Sequence, residues 1–77
     1  MTDVERIANL FSEIMEIPIN ELNDSISYNS YPTWDSLRHL QLISELEDEF
    51  NIEFCLEDIT SMRTYKEVKE LTRKYLQ

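Results

Sequence analysis

The hydrophobic pattern of the first fifteen residues predicts an amphipathic helix. Its apolar side chains recur three or four positions apart, the spacing that places them on one face of an α-helix: Val4, Ile7, Ala8, Phe11, Ile14 and Met15. Thr2 and Glu5 form a T-x-x-E sequence, in which each side chain accepts a hydrogen bond from the other residue's backbone N–H. We therefore expect a helix that starts at Thr2, buries one face and ends before Pro18.

The segment from residue 17 to residue 33 reads as a long connection. It is rich in residues that favour turns and caps: Asn20, Asn23, Asp24, Ser25, Ser27, Asn29, Ser30 and Pro32. Structureless connections beyond about 12 to 15 residues are uncommon in compact domains and indicate either a function or a short unrecognised turn. We expect Ile17, Leu22 and Ile26 to anchor this connection to the core.

A second amphipathic helix should run from Asp35 or Ser36 to Phe50. At about 100° per residue, one arc of this helix collects the residues expected to be buried: Leu40, Leu42, Ile43, Leu46 and Phe50. Leu37 falls outside the arc, among polar residues that should meet solvent. We expect Asn51 to end the helix in the left-handed conformation, since asparagine is the usual substitute for glycine there.

The remaining residues predict a short helical turn around Glu57 to Ser61 and a last helix. Thr64 and Glu67 repeat the capping box, and the residues expected to point inward are Val68, Leu71 and Tyr75 or Leu76. NIEFCL, residues 51–56, is the only strand candidate and is short. The prediction is an all-α bundle of three main helices and one short helix. Residues 1–77 should form a single domain. A chain this short buries only about 60% of its unfolded surface and cannot be divided into two independent cores.

Composition narrows the possible partners. The net charge of −9 disfavours nucleic acid and anionic membrane surfaces, both of which require clustered Lys and Arg. The charge is uneven: residues 1–62 hold 14 acidic and 2 basic residues, whereas residues 63–77 hold 5 basic and 2 acidic residues. A basic partner would therefore bind to residues 1–62.

The number of cysteines and the lack of long apolar runs indicate the cellular compartment and whether the chain spans a membrane. A single cysteine cannot form an intramolecular disulfide, and the start MTDVERIANLF lacks the apolar core of a signal peptide. No apolar run approaches the roughly 20 residues that span a bilayer. We expect a cytoplasmic monomer without a membrane span.

The titratable side chains do not suggest catalysis or metal binding. His39 lies within the apolar arc and is most simply a residue at the core edge, and Cys55 is most simply a small hydrophobic residue. The carboxylates of the second helix lie on one solvated face without a pocket: Glu45, Glu47, Asp48 and Glu49. No His and Cys cluster supports a metal site. We expect that the chain is not an enzyme.

Considered alone, the residues of the junction Asp35–Ser36–Leu37 allow either an ordinary helix start or a docking surface. A serine at a helix start is usually an N-cap, and one exposed leucine is common on protein surfaces. An apolar contact above an acidic face is also the composition of a transient interface. One hypothesis is therefore a non-enzymatic acidic adaptor that binds a basic protein.

The second hypothesis comes from a family resemblance. The stretch WDSLRHLQLISELEDEFNIEF, followed by DITSMRTYKEV, resembles the acyl carrier protein family, and the likeness covers nearly the full chain. The resemblance implies that 4′-phosphopantetheine is esterified to Ser36 and carries an acyl or aminoacyl group as a thioester. Asp35 would help a phosphopantetheinyl transferase and its magnesium ion to address the hydroxyl. A phosphodiester at a helix N-terminus gains roughly 0.3 to 1 kcal/mol from the helix dipole when it is exposed.

The resemblance also implies a partner surface and a cargo cleft. Leu37 would contact partner enzymes, within a surface that includes Arg38, Gln41, Glu45 and Asp48. The cleft between the second and third helices would shelter the carried chain, with four candidate lining residues: Leu46, Ile59, Met62 and Tyr65. The implied partners are the transferase, an acyl- or aminoacyl-loading ligase, and a downstream acyltransferase or ketosynthase.

Two departures from the family pattern are informative. Carriers of fatty acid synthesis typically have acidic residues where this chain has Arg38 and Gln41, so docking to general fatty acid synthesis enzymes should be impaired. The W-D-S-L sequence resembles that of stand-alone carriers in secondary-metabolite, cell-envelope and sugar pathways. We therefore expect a carrier dedicated to one pathway. Asn51 replaces the usual glycine after the second helix, which conserves left-handed geometry.

Overall fold

The computed structural model describes residues 2–28 and 30–77, and its regular structure is helical. Within these two ranges there are four α-helices: α1 (Asp3–Met15), α2 (Ser36–Phe50), α3 (Leu56–Ser61) and α4 (Tyr65–Tyr75). Within the described residues there is no β-strand, and residues 51–56 lead into α3 instead of forming one. The predicted bundle of three main helices and one short helix is confirmed.

Helix α1 begins and ends as its sequence predicts. The capping box is present, with Glu5 N–H donating to Thr2 Oγ1 at 3.1 Å and Thr2 N–H donating to Glu5 Oε1 at 3.3 Å. Glu16 adopts the left-handed conformation at φ 56° and closes the helix before Pro18. The buried face of the helix consists of Ile7, Phe11, Ile14 and Met15. Val4, in the first turn, was expected in this stripe but is exposed.

The connection between α1 and α2 contains a short 3-10 helix, Ile19–Glu21, which is the unrecognised turn that its length suggested. Ile17 and Ile26 are buried and Leu22 is half-buried, so the predicted anchors are confirmed. Asn29, named above among the turn-forming residues, lies outside the described residues.

The same connection is tied to the α3–α4 linker by backbone hydrogen bonds. Tyr28 N–H donates to Arg63 O at 2.7 Å, and Tyr65 N–H donates to Ile26 O at 2.9 Å. Ser27 and Thr64 form an isolated antiparallel bridge between the two segments. These bonds fix Tyr28 beside the start of α2.

Helix α2 ends at Asn51, which adopts φ 54° as predicted and donates its N–H to Glu47 O. Leu42, Ile43 and Leu46 are buried, and Phe50 is half-buried. Leu40, expected in the same arc, is 59% exposed. It lies about 60° around the helix from Ile43, at the edge of the arc. There it borders a cavity and not the packed core.

The core is built around aromatic residues from three segments. Trp34 is fully buried, and its ring meets the edge of Phe11 with centroids 5.2 Å apart. Phe11 also contacts Tyr65, the first residue of α4, at 4.8 Å. Burial of Val68 extends this core along α4, as predicted. The core thus fixes the position of Trp34, two residues before Ser36.

Candidate functional site

The start of α2 is capped by Asp35. Its Oδ1 accepts the Arg38 N–H at 2.9 Å, which satisfies one of the free amides of the first turn. Ser36 is the first helical residue and is exposed. The interpretation of Ser36 as the N-cap is therefore wrong, because the preceding residue occupies that place. The adaptor hypothesis loses the structural role it gave to this serine.

The Ser36 hydroxyl lies 2.8 Å from the Tyr28 hydroxyl. Tyr28 is half-buried, and its ring packs edge-on against Trp34 at 6.2 Å and against His39 at 5.8 Å. The serine therefore lies next to a packed aromatic group, which consists of Tyr28, Trp34 and His39. No pattern of spacing marked Tyr28, because it belongs to the irregular connection.

His39 links this aromatic group to α3. The Trp34 Nε1–H donates to His39 Nδ1 at 3.1 Å, and His39 Nε2 lies 2.8 Å from the backbone oxygen of Ile59. Because an indole nitrogen can only donate, Nδ1 accepts, and the network assigns the proton to Nε2, which donates to Ile59 O. His39 is thus a neutral structural residue at the core edge, and it is buried as expected.

A cavity of about 280 Å³ opens beside Ser36, between α2 and α3. Ile59 and Met62, two of the four proposed cleft residues, line it. The other two, Leu46 and Tyr65, are buried in the core and do not border the cavity. The lining residues that the sequence did not indicate are Tyr28, His39, Leu40, Leu56, Thr60 and Arg63. The high exposure of Leu40 and Leu56 is the signal that distinguishes this apolar wall from the core.

Helix α3 forms one wall of the cavity and is held largely by polar contacts. None of its residues is buried. In addition to the His39 bond, Tyr75 of α4 accepts the Cys55 N–H at 3.0 Å and donates to Asp58 Oδ2 at 2.5 Å. The bond to the Asp58 carboxylate raises the pKa of Tyr75 to about 12, and the same bond lowers the pKa of Asp58.

Cys55 corrects a sequence expectation. The sequence predicts a small hydrophobic residue at this position, but Cys55 is exposed. It precedes α3 at the N-cap position, where the chain turns out of the core after the buried Phe54. Apolar neighbours in the sequence are therefore no evidence that Cys55 is buried.

The outward face of α2 borders a groove of about 650 Å³ between α1 and α2. Leu37 is 75% exposed and lines the groove with Gln41 and Glu45, whereas Asp48 is exposed outside it. Arg38 folds back over α1. The groove is completed by Leu10, Glu13, Ile14, Glu16, Asp35 and Arg38.

Arg38 is held by α1 through its guanidinium, which lies 2.7 Å from Glu16 Oε2 and donates to Ile14 O at 2.6 Å. Its charge is therefore paired within the chain instead of projecting freely to a partner. The remaining carboxylates, from Glu13, Asp35 and Glu45, give the groove an acidic rim around the apolar Leu37.

Metal-binding clusters and membrane-spanning helices are both absent from residues 2–28 and 30–77. No three His, Cys, Asp or Glu side chains there are placed to hold a metal ion. None of the helices in these two ranges is long and apolar enough to cross a membrane.

Comparison with known proteins agrees with this architecture. A family model described as a phosphopantetheine attachment site matches residues 5–72. Among solved structures, the fold is similar to that of an acyl carrier protein from Thermotoga maritima, with a TM-score of 0.77 and 22% sequence identity; the match covers 95% of this chain and 85% of that chain. The family match includes the junction at Asp35 and Ser36 and extends from α1 into α4. The chain belongs to the phosphopantetheine attachment family and has the fold of an acyl carrier protein.

Proposed function

We propose that Ser36 carries 4′-phosphopantetheine and that the protein presents an acyl or aminoacyl group to dedicated pathway enzymes. The observation that carries this proposal is the state of the Ser36 hydroxyl: it is exposed, free of any capping role, and placed at the mouth of a cavity. The residue lies within the part of the chain that matches the attachment family.

The residues around Ser36 fit a phosphodiester. The first turn of α2 presents backbone amides and the positive end of the helix dipole, which favour an anion. The Tyr28 hydroxyl supplies a further donor 2.8 Å away. When attached, phosphopantetheine supplies a terminal thiol on a long flexible chain, which holds the carried group as a thioester. Ser36 holds this group by its ester, and the protein itself performs no chemistry on the cargo.

Asp35 has a second role in this proposal. One carboxylate oxygen caps α2 through the Arg38 amide, and the side chain remains exposed beside the serine. Carboxylate oxygens are preferred ligands of magnesium, so Asp35 offers the transferase and its metal ion a contact adjacent to the reacting hydroxyl. Capping fixes the orientation of this carboxylate before the transferase binds.

The groove between α1 and α2 is the proposed docking surface for the transferase, a loading ligase and a downstream acyltransferase or ketosynthase. Leu37 supplies an exposed apolar contact, and the acidic rim selects basic partner surfaces. The ion pair between Arg38 and Glu16 leaves no net charge at a position where carriers of fatty acid synthesis typically have an acidic residue. This internal neutralisation supports recognition by partners dedicated to one pathway.

The cavity between α2 and α3 is the proposed shelter for the carried group. Its apolar wall combines Leu40 and Leu56 with Ile59 and Met62, and Ser36 lies at its edge. An apolar part of the cargo gains free energy by leaving water for such a wall. Leu46 and Tyr65 serve the core and not this shelter.

Intact-protein mass spectrometry tests the attachment. After incubation with coenzyme A and a broad-specificity phosphopantetheinyl transferase, the wild-type protein should gain the mass of one phosphopantetheine. Ser36→Ala should gain none, whereas Ser44→Ala, which removes an exposed serine farther along α2, should be modified like the wild type. An unmodified wild type beside a reference carrier that is modified, or an addition to Ser36→Ala, would contradict the proposal.

A further inference from the structure

We propose that the Tyr28 hydroxyl binds the phosphodiester end of the prosthetic group and holds the arm at the cavity side of Ser36. The inference rests on the proposed attachment at Ser36. Its starting observation is the 2.8 Å contact between the two hydroxyl oxygens. The serine oxygen, which becomes the ester oxygen on attachment, lies within hydrogen-bonding distance of Tyr28.

The Tyr28 hydroxyl is fixed before any ligand is attached. Its ring meets the edges of Trp34 and His39, with centroids 6.2 Å and 5.8 Å away, and Trp34 is fully buried. Its backbone N–H donates to Arg63 O at 2.7 Å. A donor held in this way loses little further conformational freedom when it binds an anion.

Attachment changes what the hydroxyl pair can do. In the free protein either oxygen can donate to the other. An ester at Ser36 has no O–H, so its oxygens and those of the phosphate only accept, and Tyr28 becomes the donor. A hydrogen bond to a charged acceptor is roughly twice as strong as one between neutral groups, so attachment strengthens this contact.

Arg63 adds favourable charge at the same place. It lines the cavity with Tyr28 and Ser36. Among the residues of ranges 2–28 and 30–77, no carboxylate forms a salt bridge with it. The Glu67 carboxylate accepts the Arg63 backbone N–H at 3.0 Å but does not pair with the guanidinium, so the Arg63 charge attracts the phosphodiester toward this side of the helix start.

The position of Tyr28 also selects a direction for the arm. Ser36 and Tyr28 border the cavity but not the groove between α1 and α2, which is bordered by Asp35 and Leu37. Binding at Tyr28 therefore retains the arm beside the cavity and leaves the acidic groove open to a partner. The storage of cargo and the docking of an enzyme use opposite sides of one serine.

The test compares Tyr28→Phe with Tyr31→Phe. Each substitution removes one phenolic hydroxyl and keeps the ring, and Tyr31 is a half-buried residue of the same connection that does not border the cavity. Mass spectrometry first establishes complete loading of wild type and both variants. Amide NMR spectra of the unloaded and loaded forms then give the shift changes at His39 and Ile59.

Wild type and Tyr31→Phe should show the same shift changes at the cavity. In Tyr28→Phe the ratio of held to free arm should fall roughly tenfold or more, the effect of one lost hydrogen bond to a charged group, and the cavity shifts should shrink accordingly. Equal shifts in all three loaded proteins would overturn the role of Tyr28 while leaving attachment at Ser36 intact. Absence of loading in the wild type would remove the attachment and this inference together.

A measurement on the wild type keeps the inference testable if Tyr28→Phe does not fold. In the loaded wild-type protein, nuclear Overhauser contacts should join the Tyr28 ring to the methyl groups of the arm next to the phosphate. Their absence, in a sample that mass spectrometry shows to be fully loaded, would overturn the inference without any variant.

Discussion

His39 should contribute to stability through its two ring nitrogens, and His39→Leu isolates that contribution. The substitution leaves the buried Trp34 N–H without its acceptor and frees the Ile59 carbonyl. An orphaned buried donor costs about 1 to 3 kcal/mol, while the carbonyl on the half-buried α3 can turn to water at little cost. A chain of this size has a stability of about 4 to 12 kcal/mol, so the variant should remain folded and be about 2 kcal/mol less stable.

Urea unfolding followed by circular dichroism measures this loss, and hydrogen exchange shows where it acts. Trp34→Phe and the double variant complete a cycle, in which removal of both partners should cost less than the sum of the single losses. Amide exchange should accelerate in α3 first, because no residue of that helix is buried. A His39→Leu stability within about 0.5 kcal/mol of wild type, with unchanged exchange in α3, would refute the hydrogen-bond network described here.

Three further predictions concern the cap, the α3–α4 contact and the division between core and cavity. Asp35→Ala removes the N-cap of α2 and should cost about 1 kcal/mol in urea unfolding; an unchanged midpoint would contradict the capping assignment. Tyr75→Phe removes the bond to Asp58, whose folded pKa lies below 3.8, so the stability difference from wild type should be present at neutral pH and shrink as pH falls through that pKa. On the alkaline side, the folded Tyr75 pKa is about 12 and exceeds its unfolded value of 10.0. The stability difference between wild type and Tyr75→Phe should therefore be fully present below pH 10 and disappear as pH rises through 12. A stability difference that does not depend on pH would exclude this bond. Leu46→Ala should cost about 2 to 5 kcal/mol because the residue is fully buried, whereas Ile59→Ala should cost clearly less; equal losses in urea unfolding would contradict the separation of core from cavity wall.

Local sequence signals predicted the helix boundaries well, since caps act over a few residues. Thr2, Thr64 and Asn51 each carry a side chain suited to its terminus, and all three act as expected. Asp35 and Ser36 are both good capping residues, however, and adjacent candidates compete for one amide. Only the three-dimensional structure shows that the aspartate caps α2.

The cavity was less predictable because it depends on the distance between helices. Periodicity assigned Leu40 and Leu46 to the same arc of α2, but it carries no information on how closely α3 approaches. Helix α3 stands away from Leu40, which becomes cavity wall, while Leu46 meets the packed core. Tyr28 could not be assigned from pattern, because its position follows from tertiary hydrogen bonds to the α3–α4 linker.

The most direct test of the account is to locate the prosthetic group by tandem mass spectrometry of peptides from the loaded protein. The phosphopantetheine mass should reside on Ser36 alone. Its presence on any other residue, or its absence after treatment with an active transferase, would contradict the account.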